Sequence, residues 1–332
     1  MEDPRLKLLD AFDPLKDADG QDTDGPSKLK VKTSGFKDAI FLCGGKLTQN
    51  GEPAGSLRDR IHRFLKTNSH KLVDRIVLAE TFIDRFGVSS NTGYKDLISF
   101  EKDLANLAGL IVLVVESPGA LAELGAFCQL QPLADRLHVV LNQVYSDNRS
   151  FIMMGPVQHL ETHYKNPPFV YDWPRDSAQT DKIANETLND IVDDIADRFG
   201  KLPQTETFKG DNQGHRMLLI CDLLHCFIAL KESELLEYLS RLLPGPPLTE
   251  LQLSQMLFVL QCRKLVERKR YKNYVCYVSC KGASPITGHS VASNLPDHDM
   301  TSLKWKLVKP FYETKSERWR LKVATKLDRE RG

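Results

Sequence analysis

An unbroken apolar run followed at once by a turn and an apolar helix, at residues 111–130, restricts the fold of this chain more than any other feature. Residues 111–115 read IVLVV, and such a run is typical of a strand in a parallel sheet that helices cover on both faces. Three residues with turn chemistry follow. The hydroxyl of Ser117 can cap a helix, the ring of Pro118 fixes φ near its helical value, and Gly119 permits close approach of a ligand to the backbone. The stretch predicts a strand-to-helix turn with a ligand beside it.

The helix after this turn contains one acid in an otherwise apolar sequence. It is predicted from about Gly119 to Leu130, and Glu123 lies within its first two turns. Burying an unpaired carboxylate is costly, so Glu123 either faces water, pairs with a cation or takes part in chemistry. Helix N-termini attract anions, and Glu116 ends the preceding strand. The functional interpretation therefore places Glu123 and Glu116 at one pocket.

Further apolar runs predict the rest of an α/β domain. Strands and helices alternate along the chain, and this order predicts a doubly wound parallel sheet. The predicted strands are at residues 38–43, 75–78, 111–115 and 137–141, and the predicted helices are at residues 56–66, 96–107, 119–130 and 187–199. Glu101, within the helix at 96–107, is interpreted as a solvated residue.

Three other strand ends carry candidate substrate-binding residues. Gly44 and Gly45 follow the first strand and suit a phosphate loop, because glycine backbone offers its N–H groups to a ligand; a plain turn is the alternative. Glu80 is either a rim residue of the site or part of a surface loop. Arg149, after the fourth strand, is a candidate for contact with a phosphate or carboxylate.

Cysteine usage and hydropathy favour a cytoplasmic protein. The seven cysteines have no paired spacing, and Cys43, Cys128 and Cys221 lie in apolar runs, which predicts reduced core thiols. No apolar run approaches the roughly 18 residues of a membrane span, and the N-terminus lacks a signal-peptide core. The tract before residue 35 resembles a calcium loop but lacks its ordered acidic spacing and terminal glutamate, so no metal site is predicted there. No cofactor is expected for the chain.

Charge is distributed unevenly along the chain. Residues 261–332 contain 17 Lys and Arg against 7 Asp and Glu, whereas the rest of the chain contains 28 against 37. A basic end on a nearly neutral protein is typical of contact with a polyanion.

The pattern changes after residue 214. Apolar helices at 216–229, 232–242 and 249–265 precede a predicted hairpin, which is the plan of a winged helix-turn-helix domain. The candidate nucleic-acid-binding residues are Gln255 and Arg263 on the third helix and Arg268, Lys269, Arg270 and Lys272 at the hairpin tip. A winged helix that contacts only protein is the alternative.

These patterns predict five segments. They are a flexible lead-in at 1–35, an α/β catalytic domain at 36–200, a linker at 201–214, a winged helix domain at 215–290 and a basic tail at 291–332.

Three motifs carry a family resemblance. IFLCGG at 40–45, ESPGALAELGAF at 116–127 and RSFIMMGPV at 149–157, followed by the winged-helix pattern, resemble effector proteins of bacterial retrons with a nucleoside deoxyribosyltransferase-like domain. The resemblance spans about residues 38–280. It implies an anti-phage toxin whose partners are a reverse transcriptase and its branched RNA–DNA product.

The same resemblance assigns two acids. The ELG glutamate is the nucleophile in the wider deoxyribosyltransferase superfamily, and that position is Glu123 here. The acid before the SPG turn belongs to the pocket, and that position is Glu116, which is expected as a second catalytic residue that holds the ribose hydroxyls or steers the water that replaces the base. Related phosphoribohydrolases have PGGxGTxxE where this chain has SPGALAE, so a cradle for a 5′-monophosphate does not carry over.

The expected activity is hydrolysis of an N-glycosidic bond in a nucleotide or nucleoside. NAD is the leading substrate because its cationic nicotinamide leaves readily; free nucleosides come next, and transfer of the sugar to another base is a third option. The alternative to an enzyme is a nucleotide sensor or DNA-binding regulator. No membrane partner is expected, and the oligomeric state is left open.

Overall fold

The structure is a computed structural model, and it divides the chain into two compact units. The sheet unit contains Lys37–Val88 and Asp96–Pro203; the helical unit contains Met1–Phe36, Ser89–Lys95 and Gln204–Gly332. The described residues are Leu9 and residues 29–49, 51–82, 93–146, 149–174, 176–243, 245–287 and 300–323. Most of the predicted lead-in and parts of the predicted basic tail lie outside these ranges.

Strands and helices follow one another along both units. In chain order, the described strands are β1 (Lys30–Lys32), β2 (Ile40–Cys43), β3 (Ile76–Val77), β4 (Leu110–Val115), β5 (Leu137–Asn142), β6 (Phe169–Tyr171), β7 (Thr205–Thr207), β8 (Val266–Tyr271), β9 (Tyr274–Ser279) and β10 (Ile286–Thr287). The described α-helices are α1 (Leu57–Thr67), α2 (Leu97–Asn106), α3 (Pro118–Phe127), α4 (Gln131–Ala134), α5 (Gln158–Tyr164), α6 (Asn185–Gly200), α7 (Gln213–Phe227), α8 (Glu232–Leu242), α9 (Glu250–Cys262) and α10 (Met300–Glu313).

The sheet unit is built on a five-stranded parallel sheet with the order β3-β2-β4-β5-β6. This confirms the prediction of an α/β fold with a parallel sheet. The chain runs from β2 to β3 on one side and then crosses to β4 on the other side of β2. The sheet therefore has its topological switch point between β2 and β4, where open α/β sheets bind ligands beyond the carboxyl ends of the strands.

Helices cover the sheet because its strands are apolar on both faces. Every residue of β4 is buried. On one face, side chains of β2 and β4 pack against α1 and α6, and α3 contacts β4 as well. Each fully buried leucine, isoleucine or valine stabilises the fold by about 1.5–3 kcal/mol. Cys43, Cys128 and Cys221, predicted to be core thiols, are buried.

Serine caps begin the two helices that flank the switch point. Ser56 Oγ accepts the N–H of Asp59 at the start of α1, and Ser117 Oγ accepts the N–H of Ala120 at the start of α3. Pro118 occupies the first turn of α3, where a missing N–H costs nothing. The predicted strand-to-helix turn is thus present, and α3 begins one residue before its predicted start.

The helical unit contains α7, α8 and α9 followed by the antiparallel β8–β9 hairpin. This is the predicted element order, and the winged helix itself stays a prediction. The unit also contains an antiparallel sheet with the order β10-β1-β7. β1 falls in the predicted lead-in and β7 in the predicted linker. These polar three-residue strands have no local signature, because pairing between distant segments creates them.

The predicted basic tail contains α10, and the segment after it is anchored by a buried arginine. Arg320 is 0% exposed and pairs with Glu234 and with Glu317, the latter at 2.7 Å. Its guanidinium also lies 4.6 Å from the Trp319 ring. Within the described ranges, no helix has both the length and the apolar content that a membrane crossing requires.

Candidate active site

Glu116 follows β4 at the switch point and caps the neighbouring helix α1. Its Oε1 accepts the N–H groups of Gly45 and Arg58, both at 3.0 Å, and its Oε2 accepts that of Leu57 at 2.7 Å. Burial raises the pKa of Glu116, whereas these three bonds oppose the rise. Glu116 therefore occupies the anion position that the N-terminus of α1 creates.

The double glycine lets the backbone approach this carboxylate. Gly44 has φ +151°, and a Cβ on Gly45 would lie 2.9 Å from Glu116 Oε1 and 2.6 Å from Ser56 Cβ. The sequence predicted that this loop offers its N–H groups to a phosphate. In the structure the Gly45 N–H is donated to Glu116 instead.

A cavity of about 320 Å³ opens beside Glu116. Residues that follow β2, β4 and β6 line it, among them Lys46, Ser117 and Trp173. Backbone and hydroxyl groups alternate here with an indole and a lysine side chain. The lining can therefore contact an aromatic base and polar or anionic parts of a small molecule.

Glu123 lies in a different environment from Glu116. It is half-buried on α3, and its Oε2 is buried without a hydrogen-bond partner among the described residues. Its carboxyl group is within hydrogen-bonding distance of that of Glu101 on α2. Burial, together with the negative charge of Glu101, raises the pKa of Glu123 to about 8. This carboxyl group is therefore mostly protonated at neutral pH.

Arg58 stands between the acids and is already engaged. Its side chain is 4% exposed and binds Glu80 through two hydrogen bonds of 2.6 and 2.7 Å. It also donates to the carbonyl oxygens of Leu42 and Gly45. Burial would raise the pKa of Glu80, but the bonds and charge of Arg58 hold it below its usual value. Arg58 therefore neutralises Glu80 and only weakly offsets Glu123.

The predicted site residues divide between these two places. Glu116 and Ser117 line the cavity of about 320 Å³, which Glu123 does not line. Pro118 and Gly119 are exposed in the first turn of α3. Glu80 joins Arg58 near Glu123. The shared pocket for Glu116 and Glu123 stays a prediction.

The residues that follow Arg149 lie beside α3. Arg149 is exposed, and the residues after it form a π-helical turn, Met153–Val157. A second cavity, of about 690 Å³, lies between this turn and α3, with Phe151 85% exposed at its edge. Its lining is mainly apolar, in contrast to the cavity at Glu116.

Sequence reasoning missed Glu101. The residue was interpreted as solvated, yet it is half-buried and contacts Glu123. The available signal was its position on the helix. Phe100 and Leu104 are fully buried on α2, and Glu101 lies at the edge of the stripe that they define.

The candidate nucleic-acid-binding residues of the hairpin fall on two faces. Arg268, Arg270 and the turn residue Lys272 are exposed. The spacing of two places Arg268 and Arg270 on one face of β8, and Lys272 lies in the turn that follows the strand. Lys269 points to the other face and pairs with Glu267 at 2.7 Å. The hairpin thus presents three exposed cations, two on one face of β8 and one at the turn.

The candidate residues on α9 are engaged within the helical unit. Gln255 Nε2 donates to the carbonyl oxygen of Gly93 at 3.0 Å, and the Tyr94 hydroxyl donates to the Gln255 carbonyl at 3.3 Å. Arg263 caps the C-terminus of α9 and is half-buried. The Gly93 bond occupies one N–H of the Gln255 amide and fixes the direction of this side chain.

Comparisons with known proteins agree on one family. The model of the STM3845 retron effector protein matches residues 54–268, more than half of the chain. A retron Ec73 protein of Escherichia coli, named provisionally as a ribosyltransferase/DNA-binding protein, is 36% identical over 135 residues, which is 40% of each chain. A retron Ec86 protein of the same organism and description is 34% identical over 125 residues, 38% of each chain. The chain thus spans about two fifths of the length of the curated relatives it matches.

Proposed function

Because this chain belongs to the STM3845 retron effector family, we propose that its sheet unit cleaves the N-glycosidic bond of a nucleotide or nucleoside. Membership in the family implies association with a retron reverse transcriptase system. One observation carries the proposed chemistry: Glu123 holds a buried oxygen without a hydrogen-bond partner among the described residues, near the ion pair of the buried Arg58 with the partly exposed Glu80. A carboxyl oxygen without a donor or a cation in contact keeps its lone pairs for a reacting atom, and acids in such surroundings cluster at functional sites.

The reaction develops positive charge at C1′ of the ribose. The ionised form of Glu123 attacks C1′ as the bond to the base breaks, and the electron pair of that bond leaves with the base. Water then attacks C1′, the ester bond to Glu123 breaks, and the carboxylate is restored as a proton passes to solvent. A carboxylate beside C1′ stabilises the oxocarbenium character of both transition states.

NAD is the leading substrate. Its nicotinamide is already cationic, so it leaves as a neutral base and needs no proton from the protein. The region around Glu123 suits a cation because the charge of Arg58 is matched by Glu80. Free nucleosides come next, and transfer of the sugar to a second base follows the same first step.

The remaining predicted residues have proposed places around this step. Glu116 holds the switch-point backbone through the N–H of Gly45, which follows Gly44, and lines the cavity where part of the nucleotide binds. Ser117, Pro118 and Gly119 form the first turn of α3 and face the same part of the ligand. Glu80 and Arg149 are proposed as rim residues.

As an effector, the protein is proposed to be a toxin in anti-phage defence. The reverse transcriptase and its branched RNA–DNA product would hold it in check, with Arg268, Arg270 and Lys272 contacting phosphates. This assignment is supported by the exposed basic face of the hairpin and by the DNA-binding function in the names of the relatives.

The test is release of free base. Purified protein is incubated with NAD, then with nucleosides, with and without the reverse transcriptase and its RNA–DNA product, and the base is measured by chromatography. We expect release by the wild type and none by Glu123→Gln. If neither protein releases free base in any mixture, the proposed enzymatic activity is refuted.

A non-catalytic nucleotide sensor or DNA-binding regulator is the second candidate, and the basic face of the hairpin favours it. Substituting Arg268, Arg270 and Lys272 by Gln should lower the slope of log affinity against log salt by about 2–3. Lys269→Gln is the matched control, since Lys269 pairs with Glu267 on the opposite face. Binding with no base release in any mixture would select the regulator.

A further inference from the structure

Glu101 contacts Glu123 without a cation between them. Phe100 and Leu104 anchor α2 in the core, which directs Glu101 toward α3 and leaves it half-buried. Its carboxyl group is within hydrogen-bonding distance of that of Glu123. In the described part of the chain, no lysine or arginine is within ion-pair distance of either acid. Two carboxylates in contact cannot both remain ionised at low cost.

We propose that Glu101 is the positioning residue of the reaction, which holds the Glu123 carboxyl group through one shared proton and takes that proton when Glu123 attacks C1′. This rests on the proposed function. The proton stays within the pair: it leaves Glu123, binds Glu101, and remains there as a hydrogen bond to the Glu123 oxygen that does not attack. The base leaves with the electrons of the broken bond, so no other proton moves in this step.

The surrounding charges favour this exchange. Three ionisable groups face the pair, namely Arg58 of α1, Glu80 after β3 and the Cys43 thiol at the end of β2. Arg58 and Glu80 neutralise each other, and burial keeps the Cys43 thiol protonated by raising its pKa. With one shared proton the pair carries one negative charge. A cationic ribosyl centre draws that charge onto Glu123, and a neutral nucleoside does so less.

The pair also makes a prediction that needs no substrate. Burial raises the pKa of Glu101 and raises that of Glu123 to about 8. A carboxyl group whose pKa is raised on folding binds its proton more tightly in the folded state. Its contribution to stability is therefore complete below the unfolded pKa of about 4.5 and is lost as pH rises through about 8.

The first experiment measures unfolding temperature between pH 5 and pH 9. As pH rises, we expect the unfolding temperature of the wild type to fall relative to that of Glu123→Gln and that of Glu101→Gln. The double variant should show the same pH dependence as either single variant, because either substitution removes the shared proton. Asp193→Asn, an exposed position on α6, is the control that follows the wild type. If the unfolding temperature of Glu101→Gln changes with pH in parallel with that of Asp193→Asn, the two acids do not share a proton.

The second experiment measures the pH profile of kcat/KM. The amide of Glu101→Gln donates to an ionised Glu123, so we expect half-maximal activity to move to lower pH by about one unit and the plateau to fall about tenfold. A uniformly lower profile at unchanged pH would mean a structural role only. Full activity of Glu123→Gln would overturn the proposed function instead, and the unfolding curves would still judge the pair.

Discussion

Two glutamates seven residues apart, Glu116 and Glu123, have opposite surroundings in the same unit. Glu116 is enclosed by backbone N–H groups, which saturate it and fix it at the N-terminus of α1. Glu123 lies beside Glu101, with the nearby Arg58 already paired to Glu80, and it retains a buried oxygen without a described partner. The difference teaches that burial alone does not mark a reactive acid. A buried carboxylate with donors stabilises the fold, and one without them is poised for chemistry.

The largest expected effect separates the two acids by rate. Glu123→Gln should reduce base release by about 10³-fold or more, because no nucleophile remains. Glu116→Gln should retain most of the activity per folded molecule, since Glu116 does not form the bond to C1′. Steady-state kinetics on both variants, corrected for folded fraction by circular dichroism, checks this. Equal losses of activity in the two variants would show that the two acids do not differ in this way.

Next in size is the loss of the helix cap. In Glu116→Gln, three charge-assisted hydrogen bonds become neutral ones, and the amide N–H₂ faces backbone donors. We expect the free energy of unfolding to fall by about 3 kcal/mol. Urea unfolding measures it. If Glu116→Gln is as stable as the wild type, the three bonds do not restrain the loop, and Glu116 is free for the substrate.

The next smaller loss of stability is expected from substituting Gly45, the glycine beside Glu116. Gly45→Ala places a methyl group 2.6 Å from Ser56 Cβ and 2.9 Å from Glu116 Oε1, so the loop must shift. We expect a loss of about 2 kcal/mol. Gly51→Ala is not a suitable control because Gly51 has φ +95°, whereas Gly125→Ala meets open space on α3 and should leave stability unchanged or raised.

The smallest expected effect is a gain in stability rather than a loss. Glu123→Gln should be more stable than the wild type above pH 8, by an amount on the order of 1 kcal/mol, since partial solvent access reduces the effect. Below pH 5 the two proteins should unfold alike. A variant less stable at every pH would place Glu123 with Glu116 among the structural acids.

Much of the sheet unit could be predicted because its signals are local. The residues of β4 form a continuous apolar run, and Ser117 and Pro118 begin α3 as their chemistry requires. The strand ends were therefore located from sequence, and with them Glu116 and Glu123. Their roles were not distinguishable, because the donors to Glu116 come from Gly45 and α1, far away in the chain.

The same limit explains the other differences. Glu101 was taken as solvated because its contact with Glu123 joins two helices. β1 and β7 were missed because their pairing is antiparallel contact between distant polar segments. The Gly44–Gly45 loop was interpreted as a cradle for an external anion. In the structure the chain supplies that anion itself, at Glu116.

By itself, the sequence determined the parallel sheet, the turn at its switch point and the family, since hydrophobic runs, caps and motif spacing depend on neighbouring residues. Only the tertiary structure decided which acid is capped and which contacts another acid. The reason is that the cost of a buried charge depends on the groups within a few ångströms of it, and here those groups belong to segments far apart in the chain.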